Sequence, residues 1–292
     1  MIVVVSAHGA GVTVSSLALA LASAQPTLLV EADYRFGSVR TGLRQGQPGG
    51  EVGIGHLGLA LREGQLRERF GGSLQHLAAP GDDRRLWLPG LTDPLQAADL
   101  EQVWAPLAGV LREREAQGWD VIVDAGQLSF RKGRLDDAHC CVPLIRQADM
   151  VLLVVRSTHT SVAQTRPAVW ALLDDLAAHG RADAVRLLAV EEGALKLHDV
   201  AGAMGRSRLP GPPVVAALPW EERTGHALTH GVPSRMSLAK SRLLLRARQA
   251  AQAIRAESAT MVLRHPVAGE QPPQGPPAMA VPRPPGVQPH VR

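Results

Sequence analysis

The chain has 292 residues, 45% hydrophobic and 20% charged, which are values of a globular protein able to bury a substantial core. Aromatic residues at 3% argue against a nucleic-acid binder built on base stacking, and a net charge of +4 that is not clustered is weak evidence for a polyanion partner. The two cysteines, Cys140 and Cys141, are adjacent and read as helical, so neither a disulfide framework nor a zinc spacing is available and a reducing compartment is expected.

The chain opens on an apolar strand, Ile2 to Val5, too short for a signal or a membrane span, so a cytoplasmic location is expected. A glycine-bearing turn and an alanine/leucine helix from Val14 to Ser23 follow. Further strands are expected at Thr27 to Glu31, Trp119 to Asp124, Met150 to Val155, Val185 to Val190 and Pro213 to Leu218. Most are continuous apolar runs without alternation, the pattern of strands covered on both faces. Helices are expected at Ala97 to Gln117, Asp136 to Gln147, Ser161 to His179 and Ser234 to Val262. Alternation of the two kinds predicts an α/β fold, a doubly wound and mostly parallel sheet with helices on both faces. Residues 35–118 are the least regular, with two edge strands expected at Leu74 to Ala78 and Arg85 to Leu88. From Pro266 onward the proline-rich composition predicts a disordered or polyproline tail, which places a domain at 1–265 and a tail at 266–292.

The turn Ser6-Ala7-His8-Gly9-Ala10-Gly11-Val12-Thr13 has the shape of a phosphate loop, in which backbone amides and a helix N-terminus hold an anion. A tight strand-to-helix turn with no ligand is the plain reading. The loop pattern GxxxxGK[ST] needs a lysine before the hydroxyl residue, and Val12 stands there. Arg35, Arg131 and His8 are nearby groups able to supply a contact in its place, although exposed polar side chains in loops are usually just solvated. Glu31 and Asp33 put two carboxylates at the carboxyl end of a strand, where open α/β sheets bind ligands. The run Val121 to Val123 ends in Asp124, the position that supports magnesium in phosphate-loop enzymes. Gly126 after it can approach a phosphate.

These segments resemble the ParA/MinD family of deviant-Walker ATPases, and in particular its divergent actinobacterial members. The resemblance covers roughly residues 1–260 and is carried by SAHGAGVTVSSLALALA, LLVEADYRFGS, WDVIVDAG, ADMVLLVVRSTHTSV and VVAALPWEERTGHAL. It implies that ATP or ADP with magnesium binds at Gly9, Ala10, Gly11, Val12, Thr13 and Val14, with Pro219 beside the adenine. It also implies magnesium on Thr13 and Asp124, and Asp33 orienting water if the site hydrolyses. The family's signature lysine falls at Ala7, and the asparagine it often presents to the base is replaced by Glu191-Glu192. A conformational and dimer-interface loop is implied at Arg156 to Thr158, where Ser157 or Thr158 also suits a helix N-cap.

The resemblance implies a positioning or regulatory protein with a degenerate Walker A loop, acting through a homodimer and protein partners with little or no hydrolysis, as the CpaE/TadZ localisation factors of Tad-type pili do. The alternative is an active ATP-hydrolysing switch in chromosome or plasmid partitioning or in cell-division placement. The arginine-bearing last helix is read as a cover for the sheet in preference to a peripheral membrane anchor. DNA binding is likewise not favoured. The tail spacing Pro282-Arg283-Pro284-Pro285 suits a partner arm. Biosynthetic ligase or reductase chemistry lacks identifiable ligands or a nucleophile, and His226 and His230 lack a third metal ligand.

Overall fold

The computed structural model describes residues 1–35, 38–46, 52–78, 81–92, 97–206, 209–233 and 236–264. Its strands are β1 (Ile2–Ser6), β2 (Thr27–Glu31), β3 (Gln75–His76), β4 (Arg85–Leu88), β5 (Asp120–Gln127), β6 (Phe130–Arg131), β7 (Arg134–Leu135), β8 (Met150–Arg156), β9 (Val185–Glu191) and β10 (Val214–Pro219). The helices are α1 (Val12–Ala22), α2 (Ser38–Thr41), α3 (Ile54–Arg62), α4 (Leu66–Phe70), α5 (Ala97–Leu100), α6 (Trp104–Ala116), α7 (Val142–Gln147), α8 (His159–Ala177), α9 (Leu197–Ala203), α10 (Glu222–His230) and α11 (Arg242–Arg264).

Eight strands form one sheet in the order β10-β9-β8-β1-β5-β2-β4-β3, parallel throughout except for β3 against β4. The chain runs outward from β1 to β2 and β4, returns through β5, then continues on the other side through β8 to β10. This reversal puts β1 at a topological switch point, where such sheets open a crevice at their carboxyl ends.

Both faces of the sheet are covered, and the strands show it residue by residue. Val3, Val5, Leu28, Val30, Val121, Val123, Leu153 and Val155 enter one core with Trp104, Leu107 and Leu111 of α6 and Val169 and Leu172 of α8. Their neighbours Val4, Leu29, Ile122, Leu152 and Val154 enter the opposite core, with Leu17 of α1 and Leu243, Ala247 and Ile254 of α11. Side chains alternate faces along a strand, so a strand buried on both sides must be apolar throughout. The uninterrupted apolar runs have this cause.

Several boundaries differ from expectation. The run from Ala97 to Gln117 is two helices, with a break at 101–103, and Pro106 falls in the first turn of α6, where a missing N–H is tolerated. The helix expected from Asp136 starts only at Val142, with Pro143 in its first turn, so Cys140 precedes it and Cys141 is its N-cap. The segment before it instead carries a small hairpin of β6 and β7. Of the two expected edge strands only β3 is one; β4 lies inside, between β2 and β3. Strand β5 runs past Asp124 to Gln127, because a register shift opposite Val4 and Ser6 of β1 makes a bulge there, with Gly126 at φ 64°. The last helix begins at Arg242, after a short 3-10 turn at Leu238–Lys240. The proline-rich tail from 266 onward lies outside the described residues.

Helix α11 docks on its own sheet. Leu243, Leu244 and Ile254 are buried, while Arg186 of β9 pairs with Glu257 at 2.6 Å and Arg255 pairs with Asp120 at 2.7 Å. Among the described residues no helix is long and apolar enough to cross a membrane.

Candidate functional site

The carboxyl ends of β1, β2, β5 and β8 surround a hollow of about 310 Å³ lined by Gly9, Gly11, Val12, Thr13, Val14 and Asp33, among others. It opens above the N-terminus of α1. Gly11 caps that helix in the left-handed region at φ 93°, which glycine adopts without a Cβ penalty. The first intrahelical bond runs from Ser15 N to Gly11 O at 3.0 Å, so the amides of Val12, Thr13 and Val14 have no acceptor within the helix. Amides in that position, with the helix dipole behind them, attract anions.

Side chains tie the loop's carbonyls back. Ser6 Oγ donates to His8 O, Gln127 Nε2 donates to Ala7 O at 2.9 Å, and Arg156 Nη2 donates to Gly9 O at 2.9 Å. The Gln127 contact depends on the β5 bulge, which brings this residue opposite Ser6.

The sequence-predicted residues separate into three places. Gly9, Gly11, Val12, Thr13, Val14 and Asp33 line the hollow. Ala10 and Pro219 line a second cavity of about 280 Å³, with Leu218, Val190 and Trp220; Gly11, Val14, Arg156 and Thr229 line both cavities. Asp124 is buried, accepts from Gly126 N at 3.2 Å, and is close enough for the Thr13 side chain to favour its charged form. Charged side chains at the first cavity, among the described residues, are Asp33, Arg35 and Arg156, and the second has an apolar stretch at Val190, Leu218, Pro219 and Trp220.

The two positions at which the resemblance would put lysines hold uncharged side chains. Val12 is only 6% exposed and packs in the α1 core, and Ala7 is a methyl group. The basic side chains lining the hollow, among the described residues, are Arg35 and Arg156. Arg131 is elsewhere, paired with Asp136 on the hairpin. His8 does not line the hollow either: its Nε2 lies 3.1 Å from Ser161 Oγ of α8.

The carboxylates divide by environment. Asp124 is raised to about 7, first by burial, against which the Thr13 hydroxyl acts, and then by the negative charges of Glu31 and Asp33. Asp33 is raised, mainly by burial, and accepts from Arg35 N at 2.9 Å. Glu31, which the sequence placed beside Asp33 as a ligand-edge carboxylate, faces inward. It accepts from Val39 N at 2.9 Å, Trp87 Nε1 at 2.8 Å and Gly90 N at 3.1 Å, so it joins β2 to α2 and to the turn after β4.

Thr13 and Asp124 fit a magnesium site in their chemistry, a hydroxyl beside a buried carboxylate. Among the described residues no three His, Cys, Asp or Glu side chains converge as a metal site. At the implied dimer-interface loop, Thr158 caps α8 by accepting from Ser161 N at 3.2 Å.

Sequence reasoning placed Arg156 in a dimer-interface loop and not at this site, and did not single out Trp220. Arg156 ends β8, touches the loop at Gly9 and lies over the Trp220 ring at 4.8 Å. Trp220 follows β10 and is 45% exposed. The partners of Arg156 are far away in sequence, so no local pattern announces them; its place closing an apolar strand at a carboxyl edge was the signal in the residues themselves.

No protein-family model and no curated protein matches the sequence. Solved structures do. The MinD cell division protein of Aquifex aeolicus is similar at TM-score 0.60 and 15% identity, covering 87% of this chain and 97% of that one. A ParA family ATPase from Chlorobium tepidum gives TM-score 0.60 and 14% identity, covering 86% and 98%. A putative plasmid partition protein of Borrelia burgdorferi bound to AMPPNP gives 0.55 and 10%, covering 88% and 98%. The chain therefore has the MinD/ParA-type P-loop fold.

Proposed function

We propose that this chain is a MinD/ParA-like positioning or regulatory protein that binds ATP or ADP with magnesium and hydrolyses little or none of it. The observation that carries this reading is the amide-lined hollow at the head of α1 whose lysine positions hold Ala7 and a buried Val12. Phosphoryl transfer depends on electrostatic stabilisation, and a cation reaching across a dimer is worth about 10³ to 10⁵ in rate. Binding needs less, since loop amides and a helix terminus suffice to hold phosphates. Thr13 and Asp124 would hold magnesium, which neutralises phosphate charge when bound. The apolar slot at Pro219 would take the base.

The structure of the similar Borrelia burgdorferi protein, solved with AMPPNP, supports a nucleotide ligand, and a MinC:MinD complex among the similar structures supports action through protein partners. We infer a homodimer working in the cytoplasm, with the proline-rich tail as a partner arm and Tad-type pilus or secretion localisation as the client system.

Titration calorimetry with ATP and magnesium tests the reading. Micromolar binding that is lost in Gly11→Asp, which sets a carboxylate among the loop amides, is the expected result. No heat from the wild-type protein overturns it. The second reading, an ATP-hydrolysing switch in partitioning or division placement, is favoured by Asp33 lining the hollow. Steady-state phosphate release abolished by Asp33→Ala would establish that reading instead.

A further inference from the structure

A phosphate hollow without its lysines leaves the anion's charge to other groups, and one side chain is placed to meet it. Arg156 stands at the end of β8, next to β1, and borders both cavities where they join. It is anchored on the sheet, whereas Arg35 sits exposed in the turn after β2.

The guanidinium is presently held from three sides. Nη2 donates to Gly9 O at 2.9 Å, Nη1 faces Glu192 Oε2 at 3.2 Å and Oε1 at 3.5 Å, and the plane covers Trp220. Its Nε is buried and has no hydrogen-bond partner. A guanidinium offers five donors in a planar fork suited to phosphate, and the contacts above do not use all of them. Glu192 belongs to the Glu191-Glu192 pair that replaces the asparagine the resembled family often presents to the base, and it contacts this arginine. The carboxylate is partly exposed, so its grip is of the weak kind that a more highly charged anion can displace.

We propose that Arg156 is the anion-binding cation of this site, contributed by β8 in place of the loop lysines, and that Glu192 holds it until a polyphosphate takes the carboxylate's place. This rests on the nucleotide reading above. It deepens that reading by assigning the positive charge to a residue outside the loop. The guanidinium lies over the Trp220 ring at 4.8 Å and lines both the hollow and the slot, while Trp220 lines the slot.

Calorimetry on the full chain with ATP and magnesium, and separately with inorganic tripolyphosphate, tests the proposal on Arg156→Ala, Arg156→Lys, Glu192→Gln and Arg35→Ala. A charge-assisted contact of this kind is worth about tenfold or more in affinity. Arg156→Ala is expected to weaken both ligands by at least about that factor, Arg156→Lys to recover part of it, and Arg35→Ala to change binding less than Arg156→Ala does. Glu192→Gln is expected to tighten both ligands several-fold, a result that an arginine merely bracing Gly9 would not produce. Wild-type affinity in Arg156→Ala, or unchanged or weaker binding in Glu192→Gln, overturns the inference and leaves the nucleotide reading standing. Absence of binding in the wild-type protein overturns both. Thermal melts of each variant separate a lost contact from a lost fold, and Glu192→Gln carries the decision if Arg156→Ala does not fold.

Discussion

Glu31 Oε2 accepts a hydrogen bond from Trp87 Nε1 at 2.8 Å, and both side chains are buried. The same carboxylate accepts from the backbone of Val39 and Gly90, so three donors from two other segments converge on it. A buried donor left without an acceptor costs about 1–3 kcal/mol. Glu31→Ala is therefore expected to lose about 3 kcal/mol of stability or more, read as a lower urea midpoint. Glu31→Gln should also lose stability, because its NH₂ group has donors where this pocket supplies donors. A wild-type midpoint in Glu31→Gln would show that the three contacts contribute little.

The same residue sets a pH dependence. Burial, opposed by the hydrogen bonds to Val39, Gly90 and Trp87, raises Glu31 from 4.5 to about 6. The folded chain then holds this proton more tightly than the unfolded chain. Its contribution to stability is fully present below the unfolded value and lost as pH rises through about 6. A shift of that size corresponds to about 2 kcal/mol. Urea midpoints of wild type and Glu31→Gln, taken at intervals from pH 4.5 to 7.5, should show the advantage of wild type shrinking by about that amount. A constant difference across the range would exclude the shift.

The Glu31 result marks the limit of what the sequence could tell. Carboxylates at a strand end were visible as a pair, yet one turns to the cavity and one turns inward, toward donors of α2, β4 and the turn after it that are distant in sequence. The strands were readable because helices on both faces force every position to be apolar. The phosphate loop was readable because its glycines and its helix are contiguous. Arg156 against Gly9 was not, since 147 residues separate the two. The late start of α7 was in fact signalled by Pro143, whose ring is tolerated only in a helix's first turn.

At the β5 bulge, Gly126 and Asp33 are in contact. A Cβ on Gly126 would lie 2.2 Å from Asp33 Oδ2, and the backbone there is at φ 64°. Gly126→Ala therefore has to move the Asp33 carboxylate and strain its own backbone, at a cost of about 1–3 kcal/mol. The expected result is a lower melting temperature. It should be accompanied by amide shifts confined to the ends of β2 and β5. Unchanged shifts at Asp33 would show that the two segments are farther apart than described.

The last helix offers a paired test of where its apolar face goes. Leu243 is 3% exposed against the sheet, whereas Leu245 is 50% exposed. Leu243→Asp places an unpaired charge in the α11 core and is expected to cost about 3 kcal/mol or more, because burying a charge without a partner is strongly unfavourable. Leu245→Asp should stay within about 0.5 kcal/mol, as substitutions at exposed positions do. If α11 is a cover, wild type and Leu245→Asp should both remain in the supernatant when spun with anionic phospholipid vesicles. Sedimentation of wild type that Leu245→Asp abolishes would instead make the exposed side of this helix a membrane-binding face.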